Sequence, residues 1–238
     1  MLHPRIIPCL LVRNGALVKT VQFENAKYVG DPLNAVRILN EKQVDELLVV
    51  DIDATVQNRE PDYSLISNLA AECRMPLCYG GGVKTSRQVE RIIGLGVEKV
   101  ALSSAAVTTS DVISDAAVRV GSQSVVVVLD ARKTEAQSRY EVFTHNATRS
   151  TGLEPAAFAR QAADLGAGEI VVNSIDRDGG MQGYDLELAG QIREVTTLPL
   201  TVLGGAGSLA DIAALIRRFG IIGAAAGSLF VFKGRFRA

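Results

Sequence analysis

Glu46-Leu-Leu-Val-Val-Asp-Ile-Asp53 returns in the second half of the chain as Glu169-Ile-Val-Val-Asn-Ser-Ile-Asp176. Each copy is a charge, a short apolar run and a polar end. A run apolar at consecutive positions suits a parallel strand buried on both faces. At the same spacing Gly81-Gly82 returns as Gly204-Gly205, and upstream Ile6-Ile-Pro-Cys-Leu-Leu11 resembles Val125-Val-Val-Val-Leu-Asp130. The duplication therefore sets Leu11 opposite Asp130. Only one position of that pair carries a carboxylate.

Working outward, eight apolar runs stand at 6–11, 47–51, 77–79, 99–103, 124–130, 169–174, 200–203 and 222–226. They are short, rich in β-branched or small residues, and bounded by Gly, Pro, Asp or Ser, as strands are. Amphipathic stretches at 32–42, 62–74, 85–95, 110–120, 155–165, 186–195 and 209–219 fill the gaps. Asp31-Pro32 and Glu154-Pro155 put proline in a first helical turn, where its missing N–H costs nothing. Eight strands with seven intervening helices predict an α/β chain folded as a (β/α)8 TIM barrel. It reads as one domain over 1–238, built from half-barrels of about 1–123 and 124–238. Only the residues from Gly227 to Ala238 follow the last strand, too few for a full closing helix and its loop. Either the eighth helix is shortened, with Phe230, Phe232 and Phe236 covering part of the outer wall, or a further C-terminal segment completes it.

Composition narrows the function classes. The 25 basic and 26 acidic side chains leave a net charge of −1, so neither nucleic acid nor an acidic membrane is an expected partner. No apolar run approaches the roughly 20 residues that span a bilayer, and the N-terminus does not read as a signal peptide. Cys9, Cys73 and Cys78 form no CxxC pair, which suits a reduced, cytoplasmic chain. Cys9 and Cys78 fall inside strands as small hydrophobes. His3 and His145 lack metal-ligand spacing, so no metal and no cofactor are expected.

In a β/α barrel the site lies at the C-terminal ends of the strands. Gly81-Gly82 follows strand three and Ser103-Ser104 follows strand four; their counterparts are Gly204-Gly205 and Gly227-Ser228. A glycine pair alone is as readily a tight turn, but two pairs at equivalent positions, each with a small or serine strand end, predict two phosphate grips. The ligand is then an elongated small molecule phosphorylated at each end. Asp130 ends an apolar run and is the candidate proton carrier. Asp51, Asp53, Asp176 and Asp178 lie at or past strands two and six, the last two also explicable as a turn. Lys19, on the loop after strand one, is within reach of an anion or is a solvated lysine. At the opposite strand ends, Arg5, Glu46, Lys99 and Glu169 sit at comparable depth on four strands. They form either a salt-bridged ring around the barrel axis or ordinary solvated charges, and the Glu46/Glu169 equivalence favours the ring.

These residues resemble the cyclase subunit family of imidazole glycerol phosphate synthase, from histidine biosynthesis. Its motifs here include Phe23-Glu-Asn25, Val29-Gly-Asp-Pro32, Gly80-Gly-Gly82, Gly121-Ser-Gln-Ser-Val-Val-Val127, Ser174-Ile-Asp-Arg-Asp-Gly179, Gly183-Tyr-Asp185 and Gly204-Gly-Ala-Gly207. The resemblance implies a barrel that takes ammonia from a glutaminase subunit docked on its N-terminal face. Ammonia passes a charged gate at Arg5, Glu46, Lys99 and Glu169, then attacks the bisphosphate PRFAR to give imidazole glycerol phosphate and an aminoimidazole carboxamide ribotide. It also implies substrate and phosphate contacts from Lys19, Asp51, Gly81, Gly82, Ser103, Ser104, Asp176, Gly204, Gly205, Gly227 and Ser228.

The family's two acid/base aspartates fall on Asp130 and on Leu11, and leucine transfers no proton. That departure, with the short C-terminus, resembles a branch found with surface-polysaccharide genes. There the barrel and its glutaminase are thought to supply ammonia to an N-acetyl sugar amidotransferase. The expected function is accordingly an ammonia-passing barrel, with the active cyclase as the alternative. The sister isomerase of the pathway would not need the charged ring.

Overall fold

The computed structural model describes residues 3–134 and 139–231. Twelve strands and nine helices are seen among them. In chain order the strands are β1 Arg5–Arg13, β2 Ala16–Val21, β3 Glu24–Gly30, β4 Leu47–Asp51, β5 Leu77–Gly80 and β6 Lys99–Leu102. They continue as β7 Val125–Thr134, β8 Arg139–Thr144, β9 Arg149–Ser150, β10 Glu169–Ser174, β11 Leu200–Leu203 and β12 Gly223–Ala226. The helices are α1 Pro32–Lys42, α2 Tyr63–Glu72, α3 Ser86–Ile93, α4 Ser104–Thr108, α5 Asp111–Val120, α6 Pro155–Asp164, α7 Leu186–Val195, α8 Leu209–Phe219 and α9 Ser228–Val231.

Eight strands close into a parallel barrel. The order runs β10-β11-β12-β1-β4-β5-β6-β7, and β7 pairs with β10 to complete the circle. Local chemistry sets the helix starts: Asp31 accepts the Asn34 N–H ahead of Pro32, and Thr85 and Gln88 form a reciprocal capping box. Apolar side chains divide between two cores. The larger lies between strands and helices, and the smaller fills the barrel with Ile7, Cys9, Leu48, Cys78, Val126 and Val171 among others. Because successive strand residues face opposite sides, Arg5, Ile7, Cys9 and Leu11 all point inward along β1. Cys9 and Cys78 are buried as expected, and burial pushes the Cys9 thiol up to about 12.

The repeat is legible in the contacts. Leu11 lies beside Val50 across β1 and β4, and Asp130 lies beside Asn173 across β7 and β10. A side chain at Gly81 would strike the Asp51 carbonyl at 2.3 Å; one at Gly204 would strike the Ser174 carbonyl, its counterpart, at 2.6 Å.

Each half also carries an antiparallel arm that the apolar pattern does not foresee. β1 continues through the Asn14-Gly15 turn into β2 and then β3, and β7 continues into β8 and β9. Lys19 is therefore not on a loop: it sits in β2, 5 % exposed. Strand five likewise runs past Asp130 to Thr134, because the arm extends it. At the C-terminus α9 follows the last barrel strand, and Phe230 packs against the outer core. Phe232 and Phe236 lie outside the described residues. Among the described residues no helix is long and apolar enough to cross a membrane.

Candidate active site

The strands' C-terminal ends enclose a cleft of about 1050 Å³, solvent at its mouth included. Both halves contribute to its wall, among them Leu11, Gly81, Ser103, Asp130 and Asn173.

Asp130 is held at two points. Ser103 Oγ donates to one carboxylate oxygen at 3.1 Å, and Asn173 Nδ2 donates to the other at 3.0 Å. Burial pushes the carboxyl up to about 6, against the downward pull of both hydrogen bonds, and nearby Asp178 adds to the rise. A carboxyl poised there takes up and releases a proton near neutral pH, as a general acid or base must. Asn173 was not foreseen. It lies inside a buried strand, and its role appears only through the lateral register with Asp130; the one available signal was a polar residue opposite Val50 in the repeat. Its Oδ1 is buried without a partner, so the amide has a spare acceptor beside the carboxyl.

Across the mouth, the first half replaces both members of this pair. Leu11 stands for the aspartate and Val50 for its asparagine, and both line the cleft as apolar wall. Neither Asp51 nor Asp53 fills the vacancy. Asp51 is buried and accepts the N–H groups of Asp53 and Ala54 at 3.1 Å, with Arg59 at 3.4 Å. Asp53 is taken by Arg13, which reaches it through two nitrogens at 2.9 Å. Both carboxylates are committed to holding the loop after β4.

The glycine pairs form the two ends of the mouth. Gly81 and Gly82 border the main cleft with Ser103 and Ser104. Gly204 and Gly205 border a smaller recess of about 230 Å³ with Gly227 and Ser228. Positive φ at Gly81 (113°) and Gly204 (93°) suits glycine and turns the backbone toward the opening. The Ser228 hydroxyl is buried without a partner, which leaves a donor at the smaller recess. Lys19 lines both cavities; a side chain on Gly227 would come within 2.8 Å of its Nζ. Its ammonium lies 3.7 Å from Asp178, whose carboxylate also accepts from Thr20 Oγ1 at 3.1 Å. Asp178, weighed in the sequence against a plain turn, thus belongs to the cleft. Asp176 does not line it: its half-exposed carboxylate accepts the Lys133 N–H at 2.9 Å and pairs with Arg132. Gln123 is exposed before β7, at the other end of that strand.

At the N-terminal end of the barrel the four predicted charges meet in a closed ring. Arg5 contacts Glu46 at 2.5 Å and Glu169 at 2.6 Å; Lys99 contacts Glu46 at 2.9 Å and Glu169 at 2.8 Å. The solvated alternative fails for the two glutamates, which are 5 % and 4 % exposed. Burial works against charge on Arg5 and Lys99, but the two carboxylates outweigh it and hold both pKa values above their ordinary range. Burial likewise opposes ionisation of Glu169, and Arg5 with Lys99 overcomes it, leaving that carboxyl below its usual value. Thr201, also unforeseen, donates to Glu169 at 2.6 Å. Both bases come from the first half, so the ring is less symmetric than the mouth.

Comparison with known proteins agrees with this geometry. The histidine biosynthesis protein family model matches residues 5–237. A Leptospira interrogans protein named "Putative imidazole glycerol phosphate synthase subunit HisF" is 57 % identical over 238 residues, covering 100 % of this chain and 94 % of the relative. A Leptospira borgpetersenii protein of the same name is 55 % identical, with the same coverage. The "Imidazole glycerol phosphate synthase subunit HisF" of Streptomyces coelicolor is 43 % identical over 209 residues, covering 88 % of this chain and 83 % of the relative. Two glycine-lined recesses on a duplicated barrel, an acid at the end of strand five and these relatives converge: the chain belongs to the histidine biosynthesis protein family, among its HisF-type imidazole glycerol phosphate synthase subunits.

Proposed function

We propose that this barrel pairs with a glutaminase subunit, receives its ammonia through the charged ring and passes it onward, rather than closing an imidazole ring itself. The acceptor in this reading is an N-acetyl sugar, amidinated by a separate amidotransferase in surface-polysaccharide synthesis of the O-antigen type. One observation carries it: Leu11 and Val50 occupy the positions equivalent to Asp130 and Asn173. Ammonia addition, ring closure and elimination each move protons, and an apolar wall on one side of the mouth moves none. Loss of one general acid or base lowers such a rate by roughly 10²–10⁴-fold.

Other roles follow within the same reading. Arg5, Glu46, Lys99 and Glu169 act as the ammonia gate. Gly81, Gly82, Ser103 and Ser104 hold one phosphoryl group of a bound ligand, and Gly204, Gly205, Gly227 and Ser228 hold the other, with Lys19 as counter-charge. The buried, unpartnered Ser228 hydroxyl supports this assignment. A second reading, the complete cyclase of histidine biosynthesis, is favoured by Asp130, whose carboxyl is raised to about 6 as an acid/base group requires.

Turnover of PRFAR with ammonium salt separates the two. The proposal expects the protein to be at least about 100-fold slower than its Leu11→Asp variant. Equal and fast rates would refute the claim that Leu11 disables cyclisation.

A further inference from the structure

We infer that His145 is a ligand-positioning residue, whose imidazole Nε2–H closes over the Gly81/Ser104 cradle and makes it differ from the lysine-bearing cradle opposite. This rests on the reading of both cradles as phosphate sites and extends it to how a ligand with two phosphoryl ends is oriented.

The two antiparallel arms are equivalent in register. Leu11 pairs with Val18 on one arm and Asp130 with Phe143 on the other. The next residues along each arm are Lys19 and Thr20 on the first, Thr144 and His145 on the second. Each arm reaches over the mouth. Lys19 comes to Gly227 and lines the smaller recess. On the other arm His145 and Asn146 line the main cleft beside Ser103 and Ser104, the counterparts of Gly227 and Ser228. By register Thr144 is the counterpart of Lys19 and His145 that of Thr20, so the second arm sets a hydroxyl where the first has an amine, with an imidazole one residue further on.

Local geometry aims that imidazole. The His145 backbone N–H donates to Ser104 Oγ at 3.4 Å, which leaves the serine hydroxyl hydrogen free for a ligand. Its ring Nδ1 lies 3.1 Å from the Thr144 hydroxyl, itself 4 % exposed. With Thr144 donating to Nδ1, the ring proton resides on Nε2, and the imidazole is a donor on its other side. His145, Asn146 and Ala147 all take positive φ, at 53°, 54° and 60°. Three successive left-handed residues without glycine are costly, and such strain persists where surrounding structure holds it, often at ligand sites. Burial, with Arg149 adding to it, lowers the His145 pKa, which favours the neutral ring. A doubly phosphorylated ligand then meets the Lys19 side chain at one end and the His145 imidazole at the other.

The chain has two histidines, which makes the test direct. Protein labelled with ¹⁵N at histidine is titrated with inorganic phosphate, and the imidazole nitrogens are followed by NMR. The expected result is an Nε2–H tautomer at His145 and a phosphate-dependent shift of its Nε2, with His3 unmoved. His145→Asn, chosen because asparagine tolerates the left-handed conformation, should weaken one of two phosphate-binding events about tenfold and leave the other unchanged. Two unaltered binding events with an unmoved His145, or an Nδ1–H tautomer, would overturn this inference while leaving the two cradles standing. No phosphate binding to either cradle would overturn the underlying reading and this inference together.

Discussion

Asp130 and Leu11 occupy equivalent places and do opposite things. A carboxyl raised to about 6 binds its proton more tightly when folded than when unfolded. Its contribution to stability is therefore complete below the unfolded value near 4 and is lost as pH rises through about 6. Relative to Asp130→Asn, the natural protein should lose up to about 2–3 kcal/mol between pH 4 and pH 7, measured by urea unfolding across that range. Parallel pH profiles for the two proteins would show that Asp130 is not held in this state. Asp130 was legible in the sequence because a charge closing an apolar run is conspicuous. Asn173 was not, since a polar residue inside a buried strand acquires meaning only when the register sets it beside Asp130. Asp176 shows the converse: its spacing suits the mouth, while Arg132 and the Lys133 N–H hold its carboxylate outward.

Among the elements, the eight barrel strands and the seven helices named from the pattern were all legible, four of the strands and four of the helices losing or gaining only a residue or two at an end, and the strand bearing Asp130 running four residues further. The arms β2–β3 and β8–β9 were not. The Asn14-Gly15 turn signal was present, with positive φ at both residues as a tight hairpin requires, but β3 is mostly exposed and carries little apolar pattern. Two glycines on these elements give contrasting expectations. Gly15 has φ +75 and nothing within 4 Å of a new side chain, so Gly15→Ala should cost about 1 kcal/mol from backbone conformation alone. Gly81→Ala adds a collision at 2.3 Å with the Asp51 carbonyl and should cost at least about 3 kcal/mol. Chemical denaturation of the pair tests this, and equal losses would mean that the close approach at Gly81 is not structurally required.

For the whole molecule, closure of β7 onto β10 ties the charged ring at one end to the mouth at the other. Removing one member leaves buried charge uncompensated, so Glu169→Ala should destabilise the protein by about 3 kcal/mol. Glu169 ionises below its usual range when folded. Its stabilising contribution is thus full above the unfolded value and lost as pH falls through the folded one, and Glu169→Gln should flatten the acid limb of the stability profile. The ring was legible as four charges at equal depth, though its pairing depended on the barrel's closure. The proposed roles of the two ends of the barrel are joined in one measurement. A cognate glutaminase is mixed with this barrel, PRFAR and glutamine labelled with ¹⁵N at the side-chain amide, and the label is followed. The account predicts that glutamine is hydrolysed and the label accumulates as free ammonium, with Leu11→Asp diverting it into imidazole glycerol phosphate. Label entering the imidazole ring of the natural protein's product as fast as glutamine is consumed would contradict it.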